Sequence, residues 1–138
     1  MTNNLNVCIV DDDAVYQFTM TSILEKLKSF DKILVFSDGE EAIEYLISNL
    51  DNNKQLPDVI FLDLDMPIMD GFQFMEEYIN IKPRVGKKIT IYMVSSSVDQ
   101  RDIDKANSIS EISDYIIKPI RPVKLKAIVE ELRSTGKL

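Results

Sequence analysis

The sequence contains no histidine, which removes histidine-based catalytic triads, histidine-ligated metal sites and phosphohistidine chemistry carried on this chain. There is one cysteine, Cys8, in the apolar run Val7-Cys8-Ile9-Val10. A lone thiol closes no intramolecular disulfide, which fits a reducing compartment, and in such a run it reads as a small core hydrophobe. No apolar stretch approaches the roughly 18 residues a membrane span needs. Met1-Thr2-Asn3-Asn4 shows no basic stretch leading into an apolar one, so no signal peptide is expected. Positive charge is also scarce: 16 Lys and Arg stand against 23 Asp and Glu, a net charge of −7. This disfavours direct contact with nucleic acid or an anionic membrane surface, since both need clustered basic residues. The expectation is a soluble, cytoplasmic protein.

What is present suffices for a single domain. The 138 residues are 45% hydrophobic, enough to bury a core without metal or disulfide staples. Five short runs read as strands: Leu5–Val10, Ile33–Phe36, Val59–Leu62, Ile89–Val94 and Tyr115–Ile117. They are continuously apolar, as strands covered on both faces are. Between them lies helical spacing, as in Met20, Ile23, Leu24 and Leu27, or Leu125, Ile128, Val129 and Leu132. Asp38 with Glu41, and Ser97 with Gln100, match helix caps followed three residues later by Glu or Gln. Gly136 stands where the last helix should stop. The weakest helix follows Ser97, with only Ile103, Ala106 and Ile109 as its stripe. Asp51–Gln55 reads as a loop.

Five βα units with right-handed crossovers give an α/β, doubly wound parallel sheet. Ligands in such sheets sit at the carboxyl ends of the strands, and there the chemical residues cluster. Asp11, Asp12 and Asp13 follow the first run, Asp63 the third, Ser95, Ser96 and Ser97 the fourth, and Lys118-Pro119 the fifth. Converging carboxylates repel one another unless a cation joins them. Oxygen ligands without His or Cys favour Mg²⁺ or Mn²⁺. Asp63 emerges from a buried strand, and a carboxylate there is a competent nucleophile toward phosphorus. Lys118 is a compact positive charge suited to phosphoryl oxygens. Taken singly, Asp11–Asp13 read equally as a helix start, Lys118 as an exposed residue before a turn, and Ser95 as a loop serine.

Together these residues carry a family resemblance. Val10-Asp11-Asp12-Asp13, Asp63-Leu64-Asp65-Met66-Pro67-Ile68-Met69-Asp70-Gly71, Met93-Val94-Ser95-Ser96 and Tyr115-Ile116-Ile117-Lys118-Pro119 resemble, in order and spacing, the bacterial response-regulator receiver family (CheY-like). The second string and the late Lys-Pro are its specific parts, and the resemblance covers nearly the whole chain. It implies a flavodoxin-like (βα)5 sheet of order 2-1-3-4-5, forming one receiver domain over 1–138 with a core of about 5–134 and no output domain. It implies a phosphorylation-activated switch in a two-component phosphorelay, not a turnover enzyme.

By the same resemblance Asp63 is the phospho-acceptor. Asp12, Asp63 and the backbone carbonyl of Asp65 ligate Mg²⁺ (or Mn²⁺), and Asp11 assists through water. Lys118, Ser95 and the Ser96 backbone contact the phosphoryl group. Ser95 is the switch hydroxyl and Tyr115 the switch aromatic, which turns inward when Ser95 moves. Lys118-Pro119 is the peptide expected to be cis. The implied partners are a sensor histidine kinase or histidine phosphotransfer protein, and a downstream protein on the face of helix 4, strand 5 and helix 5. The implied assembly is a monomer or a phosphorylation-dependent dimer.

There are departures. Ile120 replaces the usual Phe, Ile109–Asp114 lacks the common Gly-Ala, and Asn49–Leu56 lengthens a loop. Two other readings stay open here. Asp63-Leu64-Asp65 imitates the nucleophile pair of haloacid-dehalogenase-type phosphatases, although those carry it on their first strand. A receiver that binds partners without phosphorylation is the other, although no site residue is missing.

Overall fold

Three of the apolar runs become strands with every residue buried: β1 (Leu5–Val10), β3 (Val59–Asp63) and β4 (Thr90–Ser95). The computed structural model describes residues 5–134. The edges are β2 (Phe30–Phe36) and β5 (Ile112–Ile117), and all five strands run parallel in the order β2-β1-β3-β4-β5. The helices α1 (Ala14–Leu27), α2 (Gly39–Ser48), α3 (Gly71–Ile81), α4 (Gln100–Asn107) and α5 (Pro122–Ser134) complete the five βα units.

Strand alternation divides the core into two. Cys8, Val10, Ile60, Leu62, Ile91 and Met93 pack with Ala42, Leu46, Phe74 and Met75 of α2 and α3. Val7, Ile9, Val59, Phe61 and Val94 face the other way, onto Met20 and Leu24 of α1 and Leu125 and Val129 of α5. Cys8 is 2% exposed, and burial pushes its thiol pKa far up, so it is inert.

Both edge strands begin three residues earlier than the apolar runs suggest. Asp31 in β2, and Ser113 and Asp114 in β5, are exposed, and an edge strand accommodates such polar positions where a central one does not. Asp51–Gln55 is not all loop, since Asn53–Gln55 forms a 3-10 turn capped by Asn52. The Asn6 side chain donates to the carbonyls of Lys54 and Leu56, pinning this long connection to β1.

Asp38 caps α2 by accepting from the Glu41 N–H. The Glu41 carboxylate, however, reaches the Ser37 N–H instead of the cap's own. The expected Ser97 cap is displaced: α4 starts at Gln100 and Asp99 caps it. Ser97 is occupied elsewhere, its hydroxyl accepting from the Asp99 N–H and donating to Asp102. A full capping box that the apolar pattern did not reveal joins Asp70 to Gln73 at the start of α3. Gly136 lies outside the described residues.

Candidate functional site

The three consecutive acids after β1 separate by role. Asp13 caps α1, its carboxylate accepting from the N–H groups of Val15 and Tyr16. Asp11, 1% exposed, turns into the sheet edge, where its Oδ1 accepts from the Asp13 N–H at 2.9 Å. Asp12 is exposed and faces the same pit. Carboxylate oxygens of Asp11, Asp12 and Asp63 lie within 4.8 Å of one another. Asp63 is the last residue of β3 and is 6% exposed.

Lys118 follows β5 and closes this set. Its Nζ donates to Asp11 Oδ2 at 2.7 Å and lies 3.3 Å from Asp63 Oδ1. Its backbone N–H donates to the Ser95 carbonyl at 2.9 Å, which fixes the strand tip that presents it. The Lys118-Pro119 peptide is cis. Three acids against one lysine leave the pit negative. Burial first, and then the Asp11 charge, push the Asp63 pKa up to about 6, while Lys118 pulls it down and Asp12 adds a smaller upward push. Burial opposes the charge on Lys118, but its hydrogen bond to Asp11 and the carboxylates of Asp63 and Asp11 hold its pKa above the ordinary lysine value.

This all-oxygen donor set with excess negative charge fits a hard divalent cation. A cation beside Asp63 would also relieve the repulsion that disfavours its ionised, nucleophilic form.

The loop between β3 and α3 is held close to Asp63. A Cβ on Gly71 would stand 2.7 Å from the Asp63 carbonyl oxygen, while the Gly71 N–H donates to the Leu64 carbonyl at 2.8 Å. Within the loop Asp65 is exposed, and the exposed Ile68 has φ 70°, the left-handed region that a β-branched residue rarely enters.

The loop after β4 forms a second cluster. Ser95 is fully buried, and its Oγ accepts from the Ser97 N–H at 3.0 Å. Ser96 is exposed. The Tyr115 hydroxyl donates to the Ser97 carbonyl at 2.9 Å. Through this hydroxyl Tyr115 is tied to the loop that carries Ser95.

One neighbour of the site escaped the sequence reading. Tyr16, whose spacing marks it as core, lies with its ring 4.4 Å from Lys118 Nζ. Its position on the first turn of α1, directly beyond the acidic triplet, was the available signal.

The profile of the response regulator receiver domain matches residues 7–130. The chain is 27% identical over 127 residues to the probable methanogenesis regulatory protein FilR2 of Methanothrix harundinacea, covering 92% of this chain and 80% of that protein. Other matched relatives are longer: the chain spans about a third of several protein-glutamate methylesterases. Among solved structures, a response regulator receiver protein of Dyadobacter fermentans superposes with a TM-score of 0.77 at 32% identity, covering 93% of this chain and 97% of that one. The receiver domain of a Pseudomonas aeruginosa sensor histidine kinase, described with a magnesium ion in its active-site cleft, superposes with a TM-score of 0.74 at 21% identity. That alignment covers 96% of this chain and all of that one.

Proposed function

Since the chain belongs to the response regulator receiver family, the phosphorylation-dependent switch domain of two-component systems, we propose that Asp63 accepts the phosphoryl group. The observation that carries this is the placement of Lys118 Nζ against both Asp11 and Asp63, three residues delivered by three different strands. An Asp63 oxygen forms a bond to phosphorus as the P–N bond of a phosphohistidine breaks, and the electron pair leaves with the imidazole. The donor is a sensor histidine kinase or a histidine phosphotransfer protein. Asp12, Asp63 and the Asp65 carbonyl would hold Mg²⁺, or Mn²⁺ in its place, with Asp11 acting through a water. When bound, the ion supplies positive charge to the transferring phosphoryl oxygens.

Lys118 contributes the protein's own cation to the same oxygens. The Ser95 hydroxyl proton and the Ser96 N–H serve as further donors. Drawing the Ser95 hydroxyl toward a phosphoryl group takes it from the Ser97 N–H, and the Ser97 carbonyl is the group that Tyr115 holds. The phosphoryl group therefore biases an existing contact between the loop and Tyr115, as expected of a two-state element. The readout is a partner protein on the face of α4, β5 and α5. Intact-mass measurement after incubation with a small phosphodonor and Mg²⁺ should show one added phosphoryl group, base-labile and absent in Asp63→Asn. Phosphorylation of Asp63→Asn at the wild-type yield would refute the assignment.

A further inference from the structure

The ammonium of Lys118 has three N–H bonds, and the two carboxylates account for two of its sides. The remaining contact is aromatic: Nζ stands over the Tyr16 ring, 4.4 Å from its centroid, well within the roughly 6 Å at which a ring face attracts a cation. Tyr16 is firmly seated, because it packs against the core cluster that includes Ile9, Met20, Val94, Ile116 and Leu125. Its hydroxyl, by contrast, is the one buried side-chain polar atom without a hydrogen-bond partner among the described residues. An unpaired buried hydroxyl weakens a fold, so hydrogen bonding does not explain what Tyr16 contributes. The ring does.

We propose that Tyr16 is a positioning residue for Lys118, its ring face holding the ammonium between Asp11 and Asp63. This rests on the reading of Asp63 as phospho-acceptor. Without the ring, the ammonium is free to settle onto Asp11, the shorter of its two contacts at 2.7 Å against 3.3 Å. It would then lie farther from the phosphoryl oxygens it serves. The ring also excludes water from that side and so strengthens the charge–charge interactions of Lys118.

Tyr16→Phe keeps the ring, Tyr16→Leu removes it, and Tyr16→Met fills the space flexibly should the leucine variant fold poorly. In the unmodified protein, NMR of the Lys118 side chain should show ring-current shifts that persist in Tyr16→Phe and vanish in the other two. With a small phosphodonor and saturating Mg²⁺, loss of the ring should slow phosphorylation of Asp63 about three- to tenfold. Tyr16→Phe should stay within about twofold of wild type, and Mg²⁺ affinity should be the same throughout. In a Lys118→Ala background the Tyr16 substitutions should change nothing further. Equal rates with and without the ring, an equal loss in Tyr16→Phe, or an undiminished effect in Lys118→Ala would each overturn the proposal. If wild-type protein takes no phosphoryl group, the acceptor reading falls and this inference with it, whereas ring-independent rates in a phosphorylatable protein overturn the inference alone.

Discussion

Lys118 Nζ lies 2.7 Å from Asp11 Oδ2, joining residues 107 positions apart. The other oxygen of Asp11 accepts from the Asp13 N–H. One buried carboxylate thus ties the cation that follows β5 to the N-cap of α1, while Asp63, at 3.3 Å, keeps the looser contact with the lysine. Of the two carboxylates that Lys118 touches, Asp63 is the less tightly held.

Metal and lysine should separate by mutation. Asp12→Ala should lower Mg²⁺ affinity by about tenfold or more, in line with the cost of disturbing a metal's coordination. Lys118→Ala should leave that affinity unchanged or tighter, because it removes a nearby positive charge, yet impair phosphorylation. Isothermal titration of the two variants decides this, and equal losses of metal would contradict the assignment.

The pH dependence of metal-free protein follows from Asp63. An acid whose pKa is raised on folding, here from 3.8 to about 6, contributes stability that is fully present below its unfolded value. That contribution is lost as the pH rises through about 6. With EDTA present, Asp63→Asn should therefore be more stable than wild type at pH 7, and its advantage should shrink on acidification toward pH 4. Denaturant unfolding of the pair across this range is the measurement, and a difference independent of pH would count against the raised pKa.

Ser95 and Tyr115 should fail in different ways. Ser95→Ala should still accept phosphate at Asp63 but leave the surroundings of Tyr115 unchanged when beryllofluoride is added. Tyr115→Phe removes the 2.9 Å bond to the Ser97 carbonyl and should cost about 0.5–1.5 kcal/mol of stability. NMR shift maps check the first and chemical denaturation the second.

The strand ends were legible because a parallel sheet gathers its carboxyl tips, so Asp11, Asp12, Asp63, Ser95 and Lys118 could be placed together from sequence order alone. What stayed hidden depended on position in space. Asp31 and Asp114 concealed the starts of β2 and β5, because apolar continuity marks only strands covered on both faces. Asp99 took the cap from Ser97 once the Ser97 hydroxyl was engaged by Asp102. Tyr16 looked like core and is core, but its ring also meets a cation that arrives from the far end of the chain.

Ile68 carries a backbone cost that the protein need not bear for stability. It is 72% exposed, so its side chain contributes little burial, and its φ of 70° is unfavourable for any residue with a Cβ. Ile68→Gly should raise stability by about 1 kcal/mol, read as a higher denaturation midpoint. Unchanged or lowered stability would show that the side chain has packing not evident from its exposure.

Gly71 should tolerate nothing larger. The 2.7 Å approach of an added Cβ to the Asp63 carbonyl oxygen is to backbone, which has little room to yield. Gly71→Ala should cost about 1–3 kcal/mol, as overpacking does, and should slow phosphorylation by shifting the acceptor. A variant with wild-type stability and rate would mean that the loop adapts freely.

The edge position of β5 makes Lys118 a report on whether the molecule is whole. That strand pairs only with β4, and three of its six residues are exposed, so it is among the segments that open early, ahead of global unfolding. A molecule with β5 detached would keep its carboxylates and much of its core but lose its lysine. On the proposed reading of Lys118 as the phosphoryl contact, such a molecule would retain the acidic pit without the cation that Asp11 and Asp63 share.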